Sequence, residues 1–213
     1  MTLQARRRRQ QAQAQRADAQ RRISAAASAQ LRHGRFRELA IDEVMADAGL
    51  SRTAFYRYFP DRESLLLHLL ENAAEELHEA TAGWLDGDEV DLEGALARET
   101  EVYARHAGLL RAVADAAATD ERIERAYRAA VEGFIDSAEK RIRREQDRGQ
   151  AQQLDPRLTA EALLWLNERY QNIKLGHDDA DPAQVAATLA TIWSRTLALP
   201  RGEGRTRHQR KRG

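Results

Sequence analysis

The chain contains no cysteine, which excludes disulfides, Cys-ligated zinc, iron–sulfur clusters and thiol catalysis and is compatible with a reducing compartment. Proline is scarce, with four residues in 213, and aromatics make up only 6%. No long β-branched run occurs. Ala, Leu, Arg, Glu and Gln dominate, so intrinsic propensity favours helix along nearly the whole chain and a mixed sheet fold is not expected. The longest apolar cluster, Leu65 to Leu70, is interrupted by His68 and is far too short to cross a bilayer. Behind the basic N-terminus stands QQAQAQ in place of an apolar signal core, so no export signal is read and the cytoplasm is the expected location.

Catalytic signatures are missing as well. The chain has no HExxH, no Gly-x-Ser-x-Gly, no P-loop and no glycine-rich dinucleotide fingerprint. His68, Glu71, Glu75 and His78 do share one helix face and include a Glu-x-x-His pair. A carboxylate-bridged metal site needs such a pair from two helices plus further Glu ligands, and no second copy exists. These four residues are read as a solvated face. Neither an enzyme nor a metal or cofactor is expected.

What the chain does have is charge, unevenly placed. The formal total is zero, yet residues 1–37 carry +9, residues 201–213 carry +5, and the stretch between holds −14. Basic ends flanking an acidic body suit a protein that brings one part to phosphates while the rest repels them.

Hydrophobic spacing then divides the chain. Residues 1–20 are Arg, Gln and Ala without an apolar stripe and read as a flexible or nascently helical basic arm. Ile23, Ala26, Ala27 and Leu31 make a first helix that ends at His33-Gly34. Ile41, Val44, Met45 and Ala48 make a second, closed by Gly49. Ser51 is placed to N-cap a third short helix in which Phe55 and Phe59 lie four apart. Two short helices across a glycine turn predict a helix-turn-helix. Pro60 and Asp61 stop the third helix and cap a long fourth, residues 62–84, with Leu65, Leu66, Leu69, Leu70, Ala73 and Leu77 buried. After the loop GWLDGDEVD, helices are predicted at 92–106, 109–118, 120–148, 156–176 and 182–199, with breaks at Gly108, Gly149, Pro156 and Pro182.

The contiguous stretch FRELAIDEVMADAGLSRTAFYRYFPDRESLLLHLL, Phe36 to Leu70, resembles the DNA-binding signature of the TetR family. The likeness lies in the order of parts: a short helix, an Ala-Gly-hydrophobic-Ser turn, a recognition helix ending Tyr-x-(His/Tyr)-Phe, and a capped, basic start to helix four. It departs from the usual pattern at Ala40, where a capping Thr is common, and at Thr53, where Gly or Pro is frequent. It implies an all-α fold in which an N-terminal three-helix helix-turn-helix head is joined by the long fourth helix to a helical ligand-binding and dimerisation body. The corresponding division is an arm at 1–20, a head at 21–68, a body at 69–200 and a basic tail at 201–213.

Within the head, Phe55 and Phe59 are expected to pin the recognition helix and leave Ser51, Arg52, Thr53, Tyr56 and Arg57 facing DNA. Arg52 is placed to read a base edge or to clamp a phosphate, and both roles stand open. The hydroxyls of Tyr56 and Tyr58 suit backbone phosphates, and Arg62 is expected to hold one at the start of helix four. The arm Arg6 to Arg9 is either a minor-groove or phosphate contact or a solubilising segment.

The C-terminal stretches EQDRGQAQQLDPRLTAEALLWLNERY and VAATLATIWSRTLA resemble the last helices of ethionamide-resistance-type TetR regulators. That resemblance implies a homodimer through the last two helices, an apolar pocket along the body, and two heads about one DNA turn apart on a palindromic operator. Carried across residue by residue, Asn167 matches a ligand-bonding Asn, Trp193 a pocket wall, and Tyr127 and Phe134 aromatic wall positions. Trp165 is a further pocket candidate. Ordinary core or dimer packing is the competing reading for each aromatic residue. FIDSAEKRIRRE, before Gly149, is more charged than a greasy tunnel wants, which predicts a pocket that is shorter, more polar or partly filled. The functional expectation is a repressor released from operator DNA by an unidentified small molecule. The alternative is a helical architectural or protein-interaction module that binds DNA without sequence preference.

Overall fold

A computed structural model describes residues 3–199, and among them there are helices and turns but no strand. The long helices are α1 (Leu3–Leu31), α3 (Arg62–Leu85), α4 (Leu92–Ala117), α5 (Glu121–Asp147), α6 (Pro156–Gly176) and α7 (Pro182–Leu197), with a short α2 (Ile41–Asp47). The all-helical class is as the composition indicates. The tail at 201–213 lies outside the described residues.

Helix starts follow local chemistry. Asp61, Asp91, Asp120, Asp155 and Asp181 stand at the N-caps of α3 to α7, and each carboxylate accepts a backbone N–H from the first turn. Caps of this kind contribute about 1 kcal/mol each. Pro156 and Pro182 occupy the first turns of α6 and α7, where no N–H is needed from them. Two caps differ. Ala40 offers no side-chain bond to α2, as its residue type requires. Ser51 makes none either, because its hydroxyl turns to Thr53 Oγ1 at 3.2 Å.

Three elements depart from the sequence reading. The segment read as a flexible or nascently helical arm has no boundary with the first helix: α1 begins at Leu3. Gln, Ala and Arg are strong helix formers and no Gly or Pro precedes Gly34, so nothing local interrupts the helix. Ala19 is the first residue of α1 found buried. The recognition segment is a 3-10 helix, Arg52–Arg57, and not an α-helix. Its ends close on three-residue bonds, Ala54 N–H to the Ser51 carbonyl at 2.9 Å and Tyr58 N–H to the Phe55 carbonyl at 2.8 Å, and Pro60 follows. Finally, α4 runs unbroken through Gly108, where a break was expected. A Cβ there would sit 2.4 Å from the Leu31 carbonyl oxygen and 2.7 Å from Arg32 Cα. Gly108 is a packing contact between α4 and the end of α1, and its missing side chain is what allows the approach.

Helix α4 is the organising element, packing against α1, α3, α5, α6 and α7. Two apolar clusters result. One joins Ile23, Ala27, Val44, Met45, Phe55 and Phe59 to the first half of α3 and the second half of α4. The other joins the second half of α3 and the first half of α4 to α5, α6 and α7. The stripe Leu65, Leu66, Leu69, Leu70, Ala73 and Leu77 is buried as read. It runs without interruption past residue 68, so head and body share α3 as a common beam.

Candidate DNA-reading face and body cavity

In the head, Phe55 and Phe59 are buried with ring centroids 5.8 Å apart. Each buried ring contributes about 1.5–3 kcal/mol, enough to hold a six-residue 3-10 segment that could not persist alone. The turn before it is set by Gly49 at φ +64°, where a side chain would be strained. Arg22 of α1 donates to the carbonyls of Ala48 and Gly49 and so ties that turn to the first helix.

With the apolar side pinned, Ser51, Arg52, Thr53, Tyr56 and Arg57 are exposed together, and Tyr58 is half-buried against the core. Arg52 pairs with Asp42 of α2 at 2.6 Å. Both partners are well exposed, and such a pair contributes about 0–1 kcal/mol, so exchanging Asp42 for a phosphate or base edge costs little. Arg62 is engaged within the head: it donates to the Arg37 carbonyl at 3.3 Å and lies over the Phe36 ring at 5.5 Å. The exposed residues expected at DNA thus lie in and beside the short 3-10 segment, and Arg62 braces Phe36.

The body holds a cavity of about 100 Å³ bounded by α3 to α7. Tyr127, Phe134, Asn167 and Trp193 line it; Trp165 does not. Trp165 lies partly exposed on α6, edge-on to Tyr127 with centroids 6.1 Å apart. With Leu158, Leu166 and Ile173 it forms an exposed apolar stripe along that helix. The other walls include Trp84, Leu92, Leu96, Tyr103, Glu99, Glu168 and Gln171, of which the sequence reading named none as ligand contacts. A signal for them existed. Glu99 falls in the apolar register Leu92, Leu96, Tyr103, and Gln171 in the register of Leu163 and Asn167, where a polar residue has no structural reason to stand.

Electrostatics set this cavity apart. Burial pushes the Glu99 carboxyl up to about 7, although Gln171 Nε2 donates to it at 2.6 Å. Burial also raises Glu168, opposed by a hydrogen bond from the Tyr127 hydroxyl. Burial and neighbouring acids raise Tyr103 and Tyr127 above the ordinary phenol range. Asn167 Oδ1 accepts the indole N–H of Trp193 at 2.9 Å. The charged run before Gly149 lies just beyond. Arg141, 2% exposed, pairs with Glu145 at 3.2 Å and donates to the carbonyls of Gly87 and Glu89. Its guanidinium packs on the Trp84 ring at 4.8 Å.

Head and cavity are mechanically joined. Arg111 of α4 donates to the Leu31 and Gly34 carbonyls at the end of α1 and to the Gly176 carbonyl at the end of α6. Arg122 at the start of α5 bonds Asp61, the cap of α3, at 3.2 Å. Glu76 of α3 meets Arg105 and His106 of α4, both at 3.1 Å. Elsewhere on α3, His78 pairs with Asp86 at 3.2 Å, and His68 packs on Phe59. Among the described residues no group of three or more His, Asp or Glu is placed to hold a metal, and no helix is long and apolar enough to cross a membrane.

Residues 23–69 match the family described as bacterial regulatory proteins, tetR family, and residues 93–198 match the C-terminal domain of the transcriptional regulator EthR. The HTH-type transcriptional regulator EthR of Mycolicibacterium smegmatis is 28% identical over 189 residues, covering 84% of this chain and 87% of that protein. EthR of Mycobacterium tuberculosis is 27% identical over 164 residues, covering 73% and 76%. A putative TetR-family regulator from Rhodococcus sp. shares the fold, with a TM-score of 0.69 at 17% identity over 85% of this chain and 99% of its own. The chain belongs to the TetR family of helix-turn-helix transcriptional regulators, with a C-terminal body of the EthR type.

Proposed function

We propose that this protein is a homodimeric repressor that leaves a palindromic operator when a small molecule enters the body cavity. The observation that carries the reading is the shared frame: exposed Arg52, Thr53 and Tyr56 stand at one end of a structure whose α3 and α4 form the cavity walls at the other. A ligand that fits the cavity better when the heads are splayed lowers operator affinity by its differential affinity for the two arrangements. Arg111, Gly108 and the Arg122–Asp61 pair are the contacts through which α4 and α5 move the head. Dimerisation is assigned to α6 and α7, with the exposed stripe Leu158, Trp165, Leu166 and Ile173 of α6 at the interface. The functional division follows as a basic arm at 1–20, a head at 21–68, a body at 69–200 and a tail at 201–213, in a protein working in the cytoplasm.

Selection of binding sites from genomic DNA by the full-length protein tests this directly. The expected product is one two-fold symmetric site with half-sites about one helical turn apart. Retention of all fragments alike, with a steep salt dependence, would instead establish an architectural module that holds phosphates only.

A further inference from the structure

We propose that the cavity takes a compact lipophilic cation, an organic ammonium whose charge lies against Glu99 and Glu168 and whose apolar part fills the space among Trp84, Phe134 and Trp193. This rests on the reading of the cavity as the effector site and specifies its chemistry.

The wall contains two carboxylates and no Arg, Lys or His. By element, the ionisable groups facing the space are Glu99 and Tyr103 from α4, Tyr127 from α5 and Glu168 from α6, while the lining residues of α3 and α7 carry none. Among the described residues, neither carboxylate is in an ion pair: Glu99 is bonded by the neutral Gln171 and Thr100, and Glu168 by Tyr127. Elsewhere in the same body a buried carboxylate is given its cation, as Glu145 is by Arg141. Burying an ionised carboxylate without a partner is costly, and an ammonium supplied from outside removes that cost. The rings of Trp84, Tyr103, Tyr127, Phe134 and Trp193 favour the same ligand, because their faces attract cations and their area covers its carbon.

A second observation points to a ligand independently of charge. Asn167 is 5% exposed and lines the cavity. Because an indole N–H only donates, the bond from Trp193 fixes Oδ1 as the acceptor. The other half of the amide, Nδ2, is then the donor that Asn167 can offer to an occupant that carries an acceptor atom beside its charge. The volume of about 100 Å³ admits roughly seven to ten heavy atoms, at about 10–15 Å³ of such volume per water-sized atom.

Protonation of Glu99 is linked to occupancy. Its carboxyl titrates at about 7 in the empty cavity, and only the ionised form attracts the ligand. Apparent affinity for a cation of fixed charge is reduced by the ionised fraction, so it is about tenfold weaker at pH 6 than at pH 8, with a proton released on binding at the lower pH.

Calorimetric titration of the full-length protein with phenyltrimethylammonium and with its neutral isostere tert-butylbenzene separates charge from shape. The cation is expected to bind at least tenfold more tightly at pH 8, to weaken about tenfold at pH 6, and to lose most of its advantage in Glu99→Gln. Glu168→Gln provides the same comparison should Glu99→Gln fail to fold. Equal or tighter binding of tert-butylbenzene, no binding of the cation, or a preference that survives both substitutions overturns the proposal. Operator release is scored separately: a cation that binds as described yet leaves the operator bound refutes the effector reading and leaves the ligand chemistry standing.

Discussion

Replacing Glu99 by Gln should stabilise the protein at pH 8 and do little at pH 4. The carboxyl titrates at about 7 in the fold against an ordinary value of 4.5, so the folded chain binds the extra proton more readily than the unfolded chain. Between those two values the native state holds more protons, and stability therefore falls as pH rises through the window from 4.5 to 7. Above it, a gap of that size amounts to about 3 kcal/mol of destabilisation. Glutamine is isosteric, neutral, and able to keep a bond with Gln171 by turning its carbonyl toward that amide. The penalty is thus removed without opening a cavity, and for a chain of this size about 3 kcal/mol raises Tm by roughly 6–12 °C. Thermal unfolding of wild type and Glu99→Gln at pH 4, 6 and 8 gives the test. Two curves that separate progressively with rising pH support the reasoning. A variant less stable than wild type at pH 8, or a constant difference across pH, would refute it, because the carboxyl would then be stabilised as an ion.

Gly108→Ala should destabilise by about 1–3 kcal/mol and weaken operator binding, since the new methyl meets the backbone of Leu31 and Arg32; denaturant melts and a DNA titration check both effects. Phe55→Ala should remove about 3–5 kcal/mol from the head, because the ring is fully buried and anchors the reading segment. Its signature is loss of DNA binding while fluorescence of Trp84, Trp165 and Trp193 together still reports a folded body. Ile173→Asp places a charge in the exposed stripe of α6 and should convert dimer to monomer in sedimentation with helix content unchanged; persistence of the dimer would assign the interface elsewhere.

Much of this molecule was legible from local chemistry. Asp61 marked a true N-cap, because the cap is a contact within four residues and needs nothing from the rest of the fold. The helix-turn-helix was legible for a similar reason: Gly49, Phe55 and Phe59 have local duties that their residue types reveal. Gly108 misled because a glycine can end a helix or let another chain approach, and only the position of Leu31, far away in sequence, decides which. The cavity was half legible. Asn167, Trp193, Tyr127 and Phe134 were reached through resemblance, and all four line it. Trp165 was not distinguishable by type, because the helical phase that turns it outward differs by two residues from that of Asn167. Glu99 and Tyr103 lay within the helix read at 92–106 and Gln171 within that at 156–176, so their registers were in view, but which helix faces enclose a common space is settled only by tertiary packing. The 3-10 form of the recognition segment lies in which carbonyl each N–H reaches, which no apolar periodicity records.

Whether the exposed face around Arg52 reads a sequence is tested most directly by comparing operator with scrambled DNA. At near-physiological salt, the selected operator should bind at least about a thousandfold more tightly than scrambled DNA of the same length. Arg52→Ala should lower operator affinity by about 1–3 kcal/mol if the guanidinium reads a base, leaving scrambled DNA nearly unaffected. Equal affinity of the wild-type protein for operator and scrambled duplex would contradict the claim outright.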